Sequence, residues 1–277
     1  MFFKSFFLKK ANANFGPHRS IDKSERWLRA GPRKHLFFHP EEVKAAIVTC
    51  GGLCPGLNVV IREIVMSLHY NYKVSTIYGI QFGYRGFYQY DWLELTPEKV
   101  KTIHHLGGTM LGSSRGGFDL DKIMEALEAR HVNHLYVIGG DGTHNGIQKI
   151  QAESARRGVK MAVCGLPKTI DNDIPIIDKS FGFETSVEEA EKAIQSAYVE
   201  SHSAEYGIGL VKLMGRYAGF IAMEASSASR DVNVCLVPEF KFDLYGTNGL
   251  LAYLAKRRVA KKHVVVVVAE GAGFFLF

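Results

Sequence analysis

From Ala45 onward, short runs of β-branched and apolar residues alternate with longer stretches of helical period, which leaves few architectures open to the chain. Strands separated by helices return to one sheet in the same direction, so the expected fold is α/β, with mostly parallel sheets covered by helices. The strand candidates are 45–49, 74–80, 135–138, 161–165, 209–213, 234–237 and 263–269. Between them, 58–70 reads as a helix whose first N–H groups could face an anion. The stretch 186–201 opens with Ser186 and Glu189 at capping-box spacing and places Val187, Ala190, Ile194 and Ala197 on one core-facing side.

Several strand candidates end on motifs, and ligands in open α/β sheets collect at the carboxyl ends of strands. Gly139-Gly140-Asp141-Gly142-Thr143 combines permissive backbone with one carboxylate, which suits close approach to phosphates and a bound magnesium ion. Pro167-Lys168-Thr169-Ile170-Asp171-Asn172-Asp173 adds two carboxylates one residue apart. In an extended stretch both would point to one side, one as a base and the other positioning a cation or a neighbour. Together the motifs describe a phosphoryl-transfer site, although a lone GGDGT string also resembles the NAD kinase and diacylglycerol kinase signatures.

Composition narrows the class further. With 277 residues and 47% hydrophobic content, the chain can bury a large core. Its longest aliphatic run, 264–269, falls far short of the roughly 20 apolar residues a membrane helix needs. The net charge of +6 is concentrated in residues 1–40, where nine Lys or Arg face Asp22 and Glu25. That basic arm carries no nucleic-acid reader motif and is expected to be a solvated extension. Residues 1–10 lack the pattern of a transit peptide or a secretory signal, so no targeting is expected. Cys164 and Cys235 lie in apolar runs as reduced, buried thiols, whereas Cys50 and Cys54 flank a glycine loop without the further ligands of a zinc site. A reducing, cytoplasmic setting follows as the expectation.

Further motifs occur in order at Gly51-Gly52-Leu53-Cys54-Pro55-Gly56-Leu57-Asn58, Gly112-Ser113-Ser114-Arg115-Gly116-Gly117, Met214-Gly215-Arg216 and Ala269-Glu270-Gly271. With the two motifs above, the set resembles the 6-phosphofructokinase family, and closely its plant-type branch, over residues 30–273. The resemblance implies a Rossmann-like three-layer sandwich with two similar domains, the second incomplete. It divides the chain into a basic N-terminal arm (1–43), a nucleotide-binding domain (44–182) and a partial sugar-phosphate-binding domain (183–277).

The resemblance also implies roles. Gly51 and Gly52 would admit the donor phosphates. Arg115, followed by Gly116, would supply a planar cation to the β- and γ-phosphates. Asp141 would hold Mg2+, and Gly142 and Thr143 would complete the ATP site. In the family, Gly at the position of Gly142 leaves room for a nucleotide, whereas a Lys at the position of Lys168, before Thr169, is shared with pyrophosphate enzymes; plant-type ATP enzymes combine the two. Asp171 would take the proton from the 1-hydroxyl of fructose 6-phosphate, with Asp173 assisting, and Thr169 and Ile170 would line the acceptor. Met214, Gly215, Arg216 and Glu270 would bind the sugar.

The implied function is ATP-dependent phosphorylation of fructose 6-phosphate in glycolysis, by a family whose complete members are oligomeric and allosteric. The alternatives are the pyrophosphate-dependent reaction and a catalytically silent chain that binds nucleotide or complete subunits. Neither nucleic acid nor membrane is an expected partner.

Two features depart from the family pattern. The sequence given ends at Phe277, where the family continues for on the order of 100 residues or more. The expectation is a truncated product with weakened grip on the sugar phosphate and exposed apolar surface. Gly207 stands where bacterial members have an arginine that reaches a neighbouring subunit.

Overall fold

The computed structural model describes residues 35–174 and 177–274. Most of the basic arm and the last three phenylalanine-rich positions lie outside these residues. The chain divides into two compact units, one running to Lys168 and the other from Thr169. The expected division at 182/183 falls inside the second unit.

The first unit is built on strands β1 (Lys44–Thr49), β2 (Thr76–Ile80), β3 (Leu93–Glu94), β4 (His134–Gly139) and β5 (Ala162–Pro167). They form one sheet in the order β3-β2-β1-β4-β5, with only β3 antiparallel. Strand order reverses between β1 and β4, so the sheet has its topological switch point there. The helices are α1 (Leu57–Met66), α2 (Gly86–Gln89), α3 (Pro97–Val100), α4 (Leu120–Ala129) and α5 (Asp141–Arg156).

Successive strand residues face opposite sides, and β1 is buried at Ala45, Ala46, Ile47 and Val48 alike. Both faces of the central strand are therefore covered. Ala46, Val48, Leu135 and Val137 pack with Phe87, Ile123, Leu127 and Ile150 from α2, α4 and α5. Each fully buried side chain of this kind contributes about 1.5–3 kcal/mol.

The second unit holds α6 (Phe183–Ser203), β6 (Ile208–Leu213), α7 (Phe220–Ser229), β7 (Val234–Leu236), α8 (Leu250–Lys261) and β8 (Val264–Ala269). Its sheet is parallel throughout, in the order β6-β8-β7. Val187, Ala190 and Ile194 of α6 join Ile221 and Ala222 of α7 over Val265 and Val267, with Ala197 packed alongside, as the helical spacing predicts.

Every strand candidate is present, and β3 is an addition, since a two-residue strand carries no readable period. The 58–70 helix is α1 continued by a π-helical turn over Ser67–Asn71. The capping-box expectation is corrected. α6 starts at Phe183 on Gly182, whose φ of 90° is the left-handed geometry that glycine tolerates. Ser186 lies within the first turn, its hydroxyl donating to the Gly182 carbonyl at 2.8 Å, and Glu189 pairs with Lys192 instead. The cysteine expectation is also reversed in degree: Cys50 and Cys54 are the buried pair, while Cys164 and Cys235 are half-buried.

Candidate active site

At the switch point, β1 runs into the Gly51-Gly52 loop and β4 into Gly140. The loop is fixed at several points. Cys50 N–H donates to the Ile138 carbonyl at 2.8 Å, and Gly51 N–H donates to the Ser114 carbonyl at 2.9 Å. Ser113 Oγ donates to the Gly51 carbonyl at 2.6 Å, and Thr49 Oγ1 to that of Gly112 at 2.6 Å. Thus the glycine loop and the Gly112-Ser113-Ser114-Arg115 segment, distant in sequence, form one backbone surface. Gly51 adopts φ +87°, a conformation that L side chains rarely take.

Two cations lie over this surface. A Cβ at Gly51 would sit 3.6 Å from Lys168 Nζ, and one at Gly52 would sit 3.7 Å from Arg115 Nη2. Arg115 is exposed and is followed by Gly116 at φ +74°, with open space beside its Cα. Lys168 is only 6% exposed. Burial pushes its ammonium below the ordinary lysine value, and the nearby Arg115 charge acts in the same direction. Among the described residues the Lys168 ammonium has neither a hydrogen bond nor a carboxylate partner. Burial also raises the neighbouring thiols, Cys50 to about 12 and Cys54 to about 11, so both are protonated and uncharged at neutral pH. A buried cation without a carboxylate partner, beside a glycine loop, is suited to an incoming anion.

Asp141, Gly142 and Thr143 open α5. Gly142 is exposed, with nothing within 4 Å of a built Cβ. Thr143 turns inward: a Cβ on Gly139 would meet its Oγ1 at 2.4 Å, and its carbonyl accepts from Tyr84 Oη at 2.8 Å. Lys168 N–H donates to the Gly139 carbonyl at 2.9 Å, tying the ends of β4 and β5 together.

The motifs expected to bind the acceptor fall in the second unit. Asn172 has φ +53°, so Thr169 to Asp173 is a turn, and the expectation that Asp171 and Asp173 share a side by strand alternation does not hold. Asn172 Oδ1 accepts from Ser180 N–H at 2.8 Å, and its Nδ2 donates to the Asp178 carbonyl at 3.1 Å. Ser180 Oγ donates to the Thr169 carbonyl, and Asp171 N–H donates to Thr169 Oγ1 at 3.1 Å. Ile170 packs into the core of this unit, leaving Asp171 and Asp173 half-buried.

Met214, Gly215, Arg216 and Glu270 are brought together at the carboxyl ends of β6 and β8. Glu270 N–H donates to the Leu213 carbonyl at 2.8 Å, and Gly271 N–H to that of Gly215 at 2.9 Å. Gly215 has φ +127°, and a Cβ on Gly271 would lie 1.8 Å from the Arg216 carbonyl, so glycine is required on both sides of this junction. Met214, Arg216 and Glu270 are exposed. At Gly207 a Cβ would lie 2.1 Å from the Ser201 carbonyl, so this backbone has no room for an arginine.

Sequence reasoning used Lys168 only as a hint to donor type and missed it as a member of the cradle. Its place directly after an apolar strand, in a sheet whose other strand ends carry glycine motifs, was the available signal. Asn172 and Ser180, which build the Asp171 turn, gave none.

Among the described residues, no helix is long and apolar enough to cross a membrane, and no group of three or more His, Cys, Asp or Glu gathers to hold a metal. A family model described as Phosphofructokinase matches residues 44–274. ATP-dependent 6-phosphofructokinase 4, chloroplastic, of Arabidopsis thaliana is 57% identical over 260 residues, which are 94% of this chain and 49% of the relative. The ATP-dependent 6-phosphofructokinase of Borreliella burgdorferi is 47% identical, covering 97% of this chain and 63% of the relative. The chain thus spans about half the length of the plant relatives.

Among solved structures, Pichia pastoris phosphofructokinase in the T-state aligns with a TM-score of 0.72 at 24% identity, over 83% of this chain and 26% of that one. The pyrophosphate-dependent phosphofructokinase of Marinobacter aquaeolei aligns at 0.71 with 21% identity, over 83% and 61%. Both likenesses concern the fold. By sequence match and by architecture, the chain belongs to the phosphofructokinase family.

Proposed function

We propose that this chain carries the donor site and the acceptor-activating turn of an ATP-dependent 6-phosphofructokinase. The observation that carries this reading is the pair of cations, Lys168 and Arg115, set over the Gly51-Gly52 backbone at the switch point. Catalysis of phosphoryl transfer is mostly positioning and charge neutralisation, and these groups suit both. Open space at Gly142 would admit a nucleotide beyond the β-phosphate, which favours ATP.

Asp171 takes the proton from the 1-hydroxyl of fructose 6-phosphate, whose oxygen bonds to the γ-phosphorus as the bond to the bridging oxygen of ADP breaks. The products are ADP and fructose 1,6-bisphosphate. Asp173 assists, Thr169 and Ile170 line the acceptor, and Met214, Gly215, Arg216 and Glu270 hold the sugar. Asp141 would hold Mg2+, an ion that keeps most of its waters and binds through one or two carboxylates plus donor phosphates. Bound there, it would neutralise charge on the donor oxygens. The nucleotide domain would run from residue 44 and the sugar domain to residue 277, with the Asp171 turn belonging to the sugar side.

Lys168 also suits pyrophosphate, which makes that donor the second reading. Purified chain assayed by coupled turnover with fructose 6-phosphate and Mg2+, given ATP or pyrophosphate, with Asp171→Ala as control, decides between them. Turnover with ATP that the substitution abolishes supports the proposal. Turnover with pyrophosphate alone supports the second reading, and Mg-ATP binding without turnover supports a silent chain. We place the chain in the cytoplasm, its four cysteines being free, with a plastid as the alternative that imaging of a tagged chain resolves. Homo-oligomerisation is an expectation that sedimentation tests.

A further inference from the structure

His144, in the first turn of α5, belongs to none of the roles above. Its Nδ1 lies 3.0 Å from the Gly140 carbonyl oxygen, which also accepts from the N–H groups of Thr143 at 2.9 Å and His144 at 3.1 Å. A carbonyl has no proton to give, so Nδ1 must carry the hydrogen, and Nε2, with no acceptor beside it, is assigned as the bare nitrogen. That Nε2 is buried without a hydrogen-bond partner among the described residues. It faces β5, where a Cβ on Gly165 would come within 3.0 Å of it. An apolar side chain of similar shape would fill this place without leaving a buried acceptor unsatisfied. The use of a histidine here therefore lies in Nδ1.

What Nδ1 holds is the N-cap of α5. Gly140 is a glycine without any side-chain cap, preceded by another glycine, so apart from the two helical N–H groups on its carbonyl no side chain of its own restrains the peptide. In a planar trans peptide, the Gly140 C=O and the Asp141 N–H point in opposite directions. Pinning the carbonyl into the first turn therefore aims the Asp141 N–H outward from the helix start, the direction in which helix N-termini receive anions. The preceding carbonyl, Gly139, is fixed in turn by Lys168 N–H.

We propose that His144, as the Nδ1–H tautomer, is a positioning residue that restrains the Gly140 peptide at the uncapped start of α5 and holds the Asp141 N–H toward the phosphates of the donor. This inference rests on the donor-site reading above.

The test combines Mg-ATP titration and thermal melts of the wild-type chain, His144→Leu and His144→Asn with side-chain 15N spectra of wild-type His144. The asparagine amide can restore a donor near the Nδ1 position. The proposal expects a neutral ring protonated at Nδ1, an Mg-ATP Kd raised about tenfold in His144→Leu, and one within about threefold of wild type in His144→Asn, without a lowered melting temperature in His144→Leu. Equal affinities in all three proteins, or affinity that merely follows melting temperature, would overturn it. The spectrum reports even if the leucine variant does not fold. Protonation at Nε2 in a chain that binds Mg-ATP overturns the role of His144 alone. A wild-type chain that binds no Mg-ATP overturns the donor-site reading and this role with it.

Discussion

The two units treat their sheets differently. In the first, β1 is buried on both faces, and the cradle sits at the ends of strands that cannot shift without disturbing two packed layers. In the second, Val265 and Val267 are covered by α6 and α7, while on the other face β6 exposes Ile208 and Leu210, the latter by 68%. Register pairs Leu210 with Val266 on the face opposite α6 and α7, and Val266 is buried, so the opening is confined to the edge strand β6. The Gly51-Gly52 loop thus rests on a closed core, whereas Met214-Gly215-Arg216 follows an edge strand that is open on one face. The geometry of this segment and of the Asp171 turn is kept by local clamps, the backbone bond from Gly271 to Gly215 and the Asn172 side chain on Ser180 N–H. Under the proposed function, the first unit would bind the donor and the second would activate the acceptor.

The largest effect expected is on chemistry. Asp171→Ala should lower turnover by roughly 10²–10⁴-fold, the usual contribution of a general base, and leave the Mg-ATP Kd unchanged. A parallel loss of binding, measured by calorimetry, would break the division between units.

Packing gives the next contrast. Leu127→Ala in the closed core should cost about 2–5 kcal/mol, and Leu210→Ala on the open face should stay within about 0.5 kcal/mol. Urea melts of the two variants check this, and comparable losses would show that the open face is covered in solution.

Lys168→Met should weaken Mg-ATP by roughly 10- to 100-fold, the range for a lost charge-assisted bond. It should also change the pH dependence of stability. Burial lowers the folded value of Lys168, so between that value and the ordinary lysine value the unfolded chain holds a proton that the folded chain has released. Stability contributed by this group therefore rises with pH across that alkaline window, and the methionine variant should lack the rise in melts taken at stepped pH.

The smallest effect belongs to the turn. Asn172→Ala loses two side-chain hydrogen bonds and places alanine at positive φ, which should cost about 1–3 kcal/mol. The loss should appear as faster amide exchange in the second unit, with exchange in the first unit unchanged.

The sequence revealed the fold more fully than the site. β-branched runs between helical periods give every strand longer than two residues, because burial on one or both faces imposes that pattern. Glycine motifs marked where backbone must approach a partner, and Gly51, Gly215 and Gly271 prove to be positions where another residue would be strained or would clash. The meeting of Lys168 with Gly51, and of Ser113 with the same loop, depends on sheet order, which local sequence does not state. The alternation argument for Asp171 and Asp173 failed because Asn172 tolerates a left-handed backbone and its side chain bonds locally, both common traits of asparagine.

The most direct test of the account is a calorimetric titration of Mg-ATP into the wild-type chain and into the Arg115→Ala, Lys168→Met double variant, with melts to show that both are folded. Saturable one-site binding by the wild type that the double variant loses is the predicted result. Binding of equal strength in the two proteins would place the donor elsewhere and contradict the cradle.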